Sequence, residues 1–243
     1  MRNLPPEERL VYCFAGKGPS FGTGHMRRMK ALSELLHSVG IKSKLVTQQS
    51  EIDSCPAAIV FDRRDESLSD EIIKLQLSSI PVVALDNRGP GRGQAGQIYD
   101  TLPHPDMNTE EINISIGRIL LASFFSEKPT LAHKARLHII SESDIKAGIF
   151  EGEKTLLHKP GIEIDQFQQK LFESEKVITY FGQTLFEAIY CGKEIHVYGM
   201  TDYHRHLAQW FTTFWNSNQS GHYFDGKGTE KLISFIGFLI KSN

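Results

Sequence analysis

Twice along the chain a short apolar run ends in a glycine turn and passes straight into helical periodicity, and this repetition narrows the possible folds more than any other feature. The first instance is Leu10–Ala15, then a glycine-rich stretch over 16–24, then Leu32, Leu35, Leu36 and Val39 at helical spacing until Gly40 ends the pattern. The second is the run 177–181, the turn at Gly182 and a helix opening at once after it. Further short apolar runs at 43–47, 57–61, 81–85, 137–140 and 195–198, with amphipathic stretches at 70–77 and 165–173, supply the strand and helix alternation of a parallel sheet. The pattern predicts an α/β chain of two Rossmann-like lobes, residues 1–127 and 128–243, with the polar, proline-containing stretch 126–130 as the hinge. Thr109 is expected to cap a helix running to Leu121, and the four glycines within 89–96 predict a loop.

Size fits this reading, because 243 residues with 40% hydrophobic content can fill two small cores, or one large domain. A net charge of -2 gives no global field for gathering nucleic acid, so a polyanionic partner is disfavoured. Three widely spaced cysteines, an odd number, argue against a disulfide framework and suit a reducing cytosol. The segment 1–8 lacks the apolar stretch of a signal peptide, and a cytoplasmic location is expected. The longest apolar run, 232–240, is far below the ~20 residues that span a bilayer and reads as a docked terminal helix or a weak membrane contact, so no integral membrane segment is expected. A monomer is compatible with this composition.

The loop Gly16 to His25 joins strand to helix, where backbone N–H groups and the helix dipole favour an anion. It fits neither the dinucleotide fingerprint nor the P-loop, and the same glycines also serve a plain tight turn. Gly22, Thr23 and Gly24 are the candidate phosphate-facing residues, with Arg27 or Arg28 one helical turn in. His25, at the positive end of the helix dipole, is disfavoured as an imidazolium and suits a general base; the alternative is a helix-start hydrogen-bonding residue. Asp62 and Asp86 follow two of the apolar runs, on the side of a parallel sheet where ligands collect. In the second half, Gly182, Gln183, Thr184 and Glu187 invite two readings. Thr184 and Glu187 have the spacing of a capping box, while Glu187 can also hold a ribose diol beside a diphosphate at the turn. His204 and His206 sit two apart, which a helix splays, so His196, Asp202, His204 and His206 predict no metal, and no cofactor is expected. The aromatics Trp210, Phe211, Phe214 and Trp215 are expected in a core or a lobe interface.

The paired motifs Gly22-Thr23-Gly24-His25-Met26-Arg27-Arg28 and Thr179-Tyr180-Phe181-Gly182-Gln183-Thr184-Leu185-Phe186-Glu187-Ala188 resemble those of the GT-B superfamily. Within it the likeness is to the UDP-sugar hydrolases of the pseudaminic acid pathway, relatives of the lipid II glycosyltransferase. Residues 59–62, 82–87 and 99–103 resemble the middle strands of those hydrolases in order and spacing. The resemblance implies a GT-B-like cleft between the lobes, with His25 activating the water that displaces UDP and Glu187 holding the ribose. It also implies a diphosphate beside Gly182, Gln183 and Thr184. The chain departs from the family where Phe14-Ala15-Gly16 replaces an Arg-x-Asp element and where Tyr203-His204 replaces an Asn-Gln pair. A Ser-x-Gly-Gly-Ser type loop with its strand and helix is missing after the hinge, which makes the second lobe short.

Three functions follow as expectations. The first is a UDP-sugar hydrolase in cell-surface glycan or nonulosonic acid biosynthesis, in which Asp62 or Asp86 orients sugar hydroxyls. The second is a GT-B glycosyltransferase using a UDP-sugar donor, and the third a catalytically silent nucleotide-sugar binding module.

Overall fold

The computed structural model describes residues 10–16, 23–52, 56–63, 66–121, 135–139, 155–158, 164–199, 201–218 and 224–242. The chain forms two compact units. The first gathers Met1–Pro103, Ile114–Ser123 and Asp225–Asn243, and the second His104–Asn113 and Phe124–Phe224.

In the first unit β1 (Leu10–Ala15), β2 (Lys42–Val46), β3 (Ala58–Asp62), β4 (Val82–Leu85) and β5 (Gln97–Tyr99) form one parallel sheet in the order β2-β1-β3-β4-β5. Its central strands are covered on both faces, which is why β1, β3 and β4 read as continuous apolar runs rather than alternating ones. The period of two is still visible in what each side chain touches. Val11, Cys13 and Ala15 share a cluster with Met29, Leu32 and Leu36 of helix α1 (Thr23–Ser38). Tyr12 and Phe14 point the other way, towards Leu68 and Ile72, the latter on helix α2 (Asp70–Leu77). Ser69 caps α2 by accepting from the Ile72 N–H at 3.4 Å. Gly40, at φ +81°, turns the chain out of α1 in a left-handed conformation that costs glycine little.

The apolar tail is a docked helix, as its composition predicts. The last helix of the chain (Gly228–Ser242) buries Leu232 and Ile236 completely in the same cluster as β1 and α1. Burial of two such side chains contributes roughly 3–6 kcal/mol. The expected second lobe of 128–243 is corrected accordingly: 225–243 packs with the first unit because its apolar face completes that unit's core.

Two further local expectations change. Within 89–96 the chain forms a short helix, α3 (Gly91–Gln94), nucleated from outside by Asn87, whose side-chain oxygen accepts from the N–H groups of Gly89 and Arg92 at 3.0 Å each. Helix α4 (Thr109–Ile116) ends five residues early, and its cap is Asn108, which exchanges hydrogen bonds with Glu111.

The second unit is built on a parallel sheet of β6 (Ala135–Ile139), β7 (Thr155–His158), β8 (Ser174–Tyr180) and β9 (Glu194–Tyr198), in the order β7-β6-β8-β9. Strand β7 has no counterpart in the sequence reading. Helices α5 (Ile164–Glu173), α6 (Gln183–Tyr190) and α7 (Asp202–Asn218) accompany the sheet. Of the aromatic cluster, Phe211 is buried in this unit's core, packing edge-on against Phe181 and Phe186 with ring centroids 5.6 and 5.5 Å away, while Trp210, Phe214 and Trp215 are half-buried. The last helix, described above with the first unit, is α8. The expected hinge at 126–130 lies outside the described residues. No helix among the described residues is long and apolar enough to cross a membrane.

Candidate functional site

The order β2-β1-β3-β4-β5 places a topological switch point between β1 and β3, because the chain winds to one side after β1 and to the other from β3 onwards. Ligands of open parallel sheets bind at the carboxyl ends of strands beside such a point. Four of the predicted residues meet there. His25 lies on the first turn of α1, after β1, and Arg28 follows three positions later on the same helical face. Asp62 is the last residue of β3 and Asp86 the first after β4.

Their side chains form one network. His25 Nδ1 lies 2.7 Å from Asp62 Oδ1. Arg28 grips Asp62 with two donors, Nε to Oδ2 at 2.6 Å and Nη2 to Oδ1 at 2.5 Å. Its Nη1 donates to Asp86 Oδ2 at 2.7 Å and to Thr101 Oγ1 at 3.3 Å. Asp86 is fixed from behind by the N–H groups of Thr101 and Leu102, at 2.6 and 2.8 Å, and by the Thr101 hydroxyl at 2.5 Å. Asp86 itself adopts φ +47°, a conformation aspartate tolerates better than most residues, and so turns its carboxylate back towards the following strand end.

Asp62 is fully buried, Arg28 is 3% exposed and the His25 side chain 13% exposed. Burial alone would push the Asp62 carboxyl up, but the neighbouring Arg28 and His25 outweigh it and hold it at about 2. Burial likewise works against the Arg28 charge, and the two carboxylates reverse the effect and raise it above its ordinary value. An ionised Asp62 only accepts, so the 2.7 Å contact is a hydrogen bond when His25 Nδ1 carries the proton, the tautomer that leaves Nε2 as the basic nitrogen; Arg28 Nη2, a second donor, lies 3.3 Å from the same Nδ1. This is the arrangement that orients an imidazole as a general base.

The expected roles shift with the geometry. Asp62 and Asp86 direct their oxygens to protein donors, which makes them partners of His25 and Arg28 rather than ligands of sugar hydroxyls. Arg28 joins two carboxylates rather than extending to a phosphate. Gly22 lies outside the described residues. Thr23 and Gly24 form the start of α1, where backbone N–H groups at the helix end can meet an anion. Thr101 and Leu102 were missed because nothing local in the sequence pairs them with a residue 15 and 16 positions back.

In the second unit, Gly182 is the N-cap of α6, with no side-chain cap hydrogen bond. Thr184 therefore lies inside the helix and the capping-box reading falls, because the box needs threonine at the cap itself. Glu187 is buried, with Gln183 Nε2 at 3.4 Å from its Oε1, and Gln183 is buried beside it. This glycine turn follows β8, next to the switch point between β6 and β8 in that sheet.

The chain matches no known protein family and no curated protein sequence. Among solved structures it is similar to a periplasmic sugar-binding protein of an ABC sugar transporter from Legionella pneumophila. That pair is 11% identical over 95% of this chain and 94% of the other, with a TM-score of 0.38. It is also similar to a LacI-family transcription repressor from Corynebacterium glutamicum, 12% identical over 94% of this chain and 91% of the other, with a TM-score of 0.31. Likenesses this distant carry no functional argument.

Proposed function

We propose that this protein is a cytoplasmic nucleotide-sugar hydrolase that releases UDP from a UDP-activated amino sugar, with His25 as the general base. The observation that carries the reading is the His25–Asp62 pair at the switch point of the first sheet. In the reaction, the oxygen of water attacks the anomeric carbon as its proton passes to His25 Nε2. The bond from that carbon to the diphosphate oxygen breaks, and UDP departs with the electron pair, inverting the anomeric configuration. The GT-B-like motif pair supports the choice of UDP. In that reading, N–H groups at the start of α6 take the diphosphate and Glu187, on the same helix, the ribose.

The test is release of UDP from UDP-diacetamido-trideoxyhexose and from UDP-N-acetylhexosamines, followed by chromatography. His25→Ala is expected to lower kcat by about 100-fold or more, the usual contribution of a positioned base. Equal rates for His25→Ala and wild type would overturn the reading. A dependence of UDP release on an added sugar acceptor would make the protein a glycosyltransferase, and UDP binding without turnover would make it a silent binding module.

A further inference from the structure

We infer that Arg28 and Asp86 are positioning residues which, without touching the reacting atoms, dictate the tautomer and aim of His25. The inference rests on the proposed role of His25 as base, and it names how that base is held. Asp62 Oδ1 is the pivot, since it receives both His25 Nδ1 at 2.7 Å and Arg28 Nη2 at 2.5 Å. A carboxylate gripped at both oxygens by one planar guanidinium cannot rotate away from the ring. The guanidinium in turn is fixed because its remaining arm, Nη1, is taken by Asp86. Asp86 cannot follow a drifting arginine, because two main-chain N–H groups and the Thr101 hydroxyl tether it. Orientation therefore passes from the end of β5 through Asp86, Arg28 and Asp62 to His25, all of it within the first unit.

This chain of contacts also explains the residue types. Lysine at 28 offers a point charge that reaches one carboxylate and leaves the other unheld. Asparagine at 86 has one acceptor oxygen, so it must release either the Thr101 and Leu102 amides or Arg28, and its amide group then faces a donor.

The experiment is nitrogen-15 NMR of histidine-labelled full-length protein, at a pH where the His25 ring is neutral. Wild-type His25 is expected to show a protonated Nδ1 and a bare Nε2. In Arg28→Lys and Asp86→Asn the tautomer bearing its proton on Nε2 is expected to appear, together with a tenfold or greater fall in kcat at little-changed KM. Thr101→Val, which replaces only the hydroxyl with a methyl group, serves if the charged-site variants fail to fold, and is expected to show the same signature in smaller measure. The proposal is overturned if wild-type His25 carries its proton on Nε2, a result needing no variant at all. It is equally overturned if folded variants keep the wild-type tautomer. A tautomer shift in a protein that hydrolyses no sugar nucleotide leaves the positioning intact and removes the hydrolase reading, so the two failures are distinct.

Discussion

A buried guanidinium between two carboxylates makes Arg28 the residue that ties together the carboxyl ends of β3 and β4. Its loss leaves charges without compensation in the interior, so Arg28→Met is expected to cost about 3–5 kcal/mol in urea unfolding, as breaking a buried pair does. Asp62 gives the sign of the acid response. Its folded carboxyl titrates at about 2, below the unfolded range near ~3.9. Its contribution is therefore fully present above pH ~4 and is lost as pH falls through about 2, amounting to roughly 2–3 kcal/mol. Urea titrations at neutral pH and near pH 2.5 are expected to show wild type losing more stability than Asp62→Asn by about two-thirds of that amount. His25 and Arg28 are legible as neighbours in the sequence, because three residues along a helix is one face. Their aspartate partners are not, since 34 and 58 positions separate them from Arg28.

Among the elements, those with strong local signals match their sequence reading closely. Helix α2 spans Asp70–Leu77 as its amphipathic stretch predicts, because a serine cap and an apolar face agree on the same boundaries. Helix α3 is the opposite case. Glycines 91 and 93 lower its intrinsic helicity, and side-chain hydrogen bonds hold it: Asn87 accepts from Gly89 and Arg92, Gln76 donates to the Gln94 carbonyl, and Arg92 pairs with Asp100. Gly91 has a second reason to be glycine: a Cβ there would lie 2.4 Å from the Glu66 carbonyl oxygen and 2.6 Å from Asn87 Nδ2. Gly91→Ala is therefore expected to destabilise by about 1–3 kcal/mol despite its better helix propensity, a sign that thermal unfolding can check. The same crowding seats α8, where a Cβ on Gly228 would lie 2.2 Å from the Ile119 carbonyl oxygen. The Thr229 hydroxyl donates to the Leu121 carbonyl beside it.

For the whole molecule, the discontinuous first unit has a consequence that a simple division at the hinge would miss. A fragment ending at residue 123 lacks α8 and exposes the part of the core that Leu232 and Ile236 cover. Such a fragment is expected to give poor amide dispersion in NMR, and addition of a peptide covering 225–243 is expected to restore native spectra. Native-like dispersion from the fragment alone would show that the tail is not needed to complete that core. By itself, the sequence determined the α/β class, most strand and helix positions, the turns at Gly40 and Gly182 and the candidacy of His25, Asp62 and Asp86. All of these are encoded by residues a few positions apart, through periodicity, capping and turn chemistry. Only the tertiary structure decided that Arg28 joins the two aspartates, that Thr101 and Leu102 anchor one of them, and that the tail closes the first core. Those relations depend on the order of the parallel strands, which brings distant strand ends together, and on burial, which makes a charge seek its partner wherever the fold has put it.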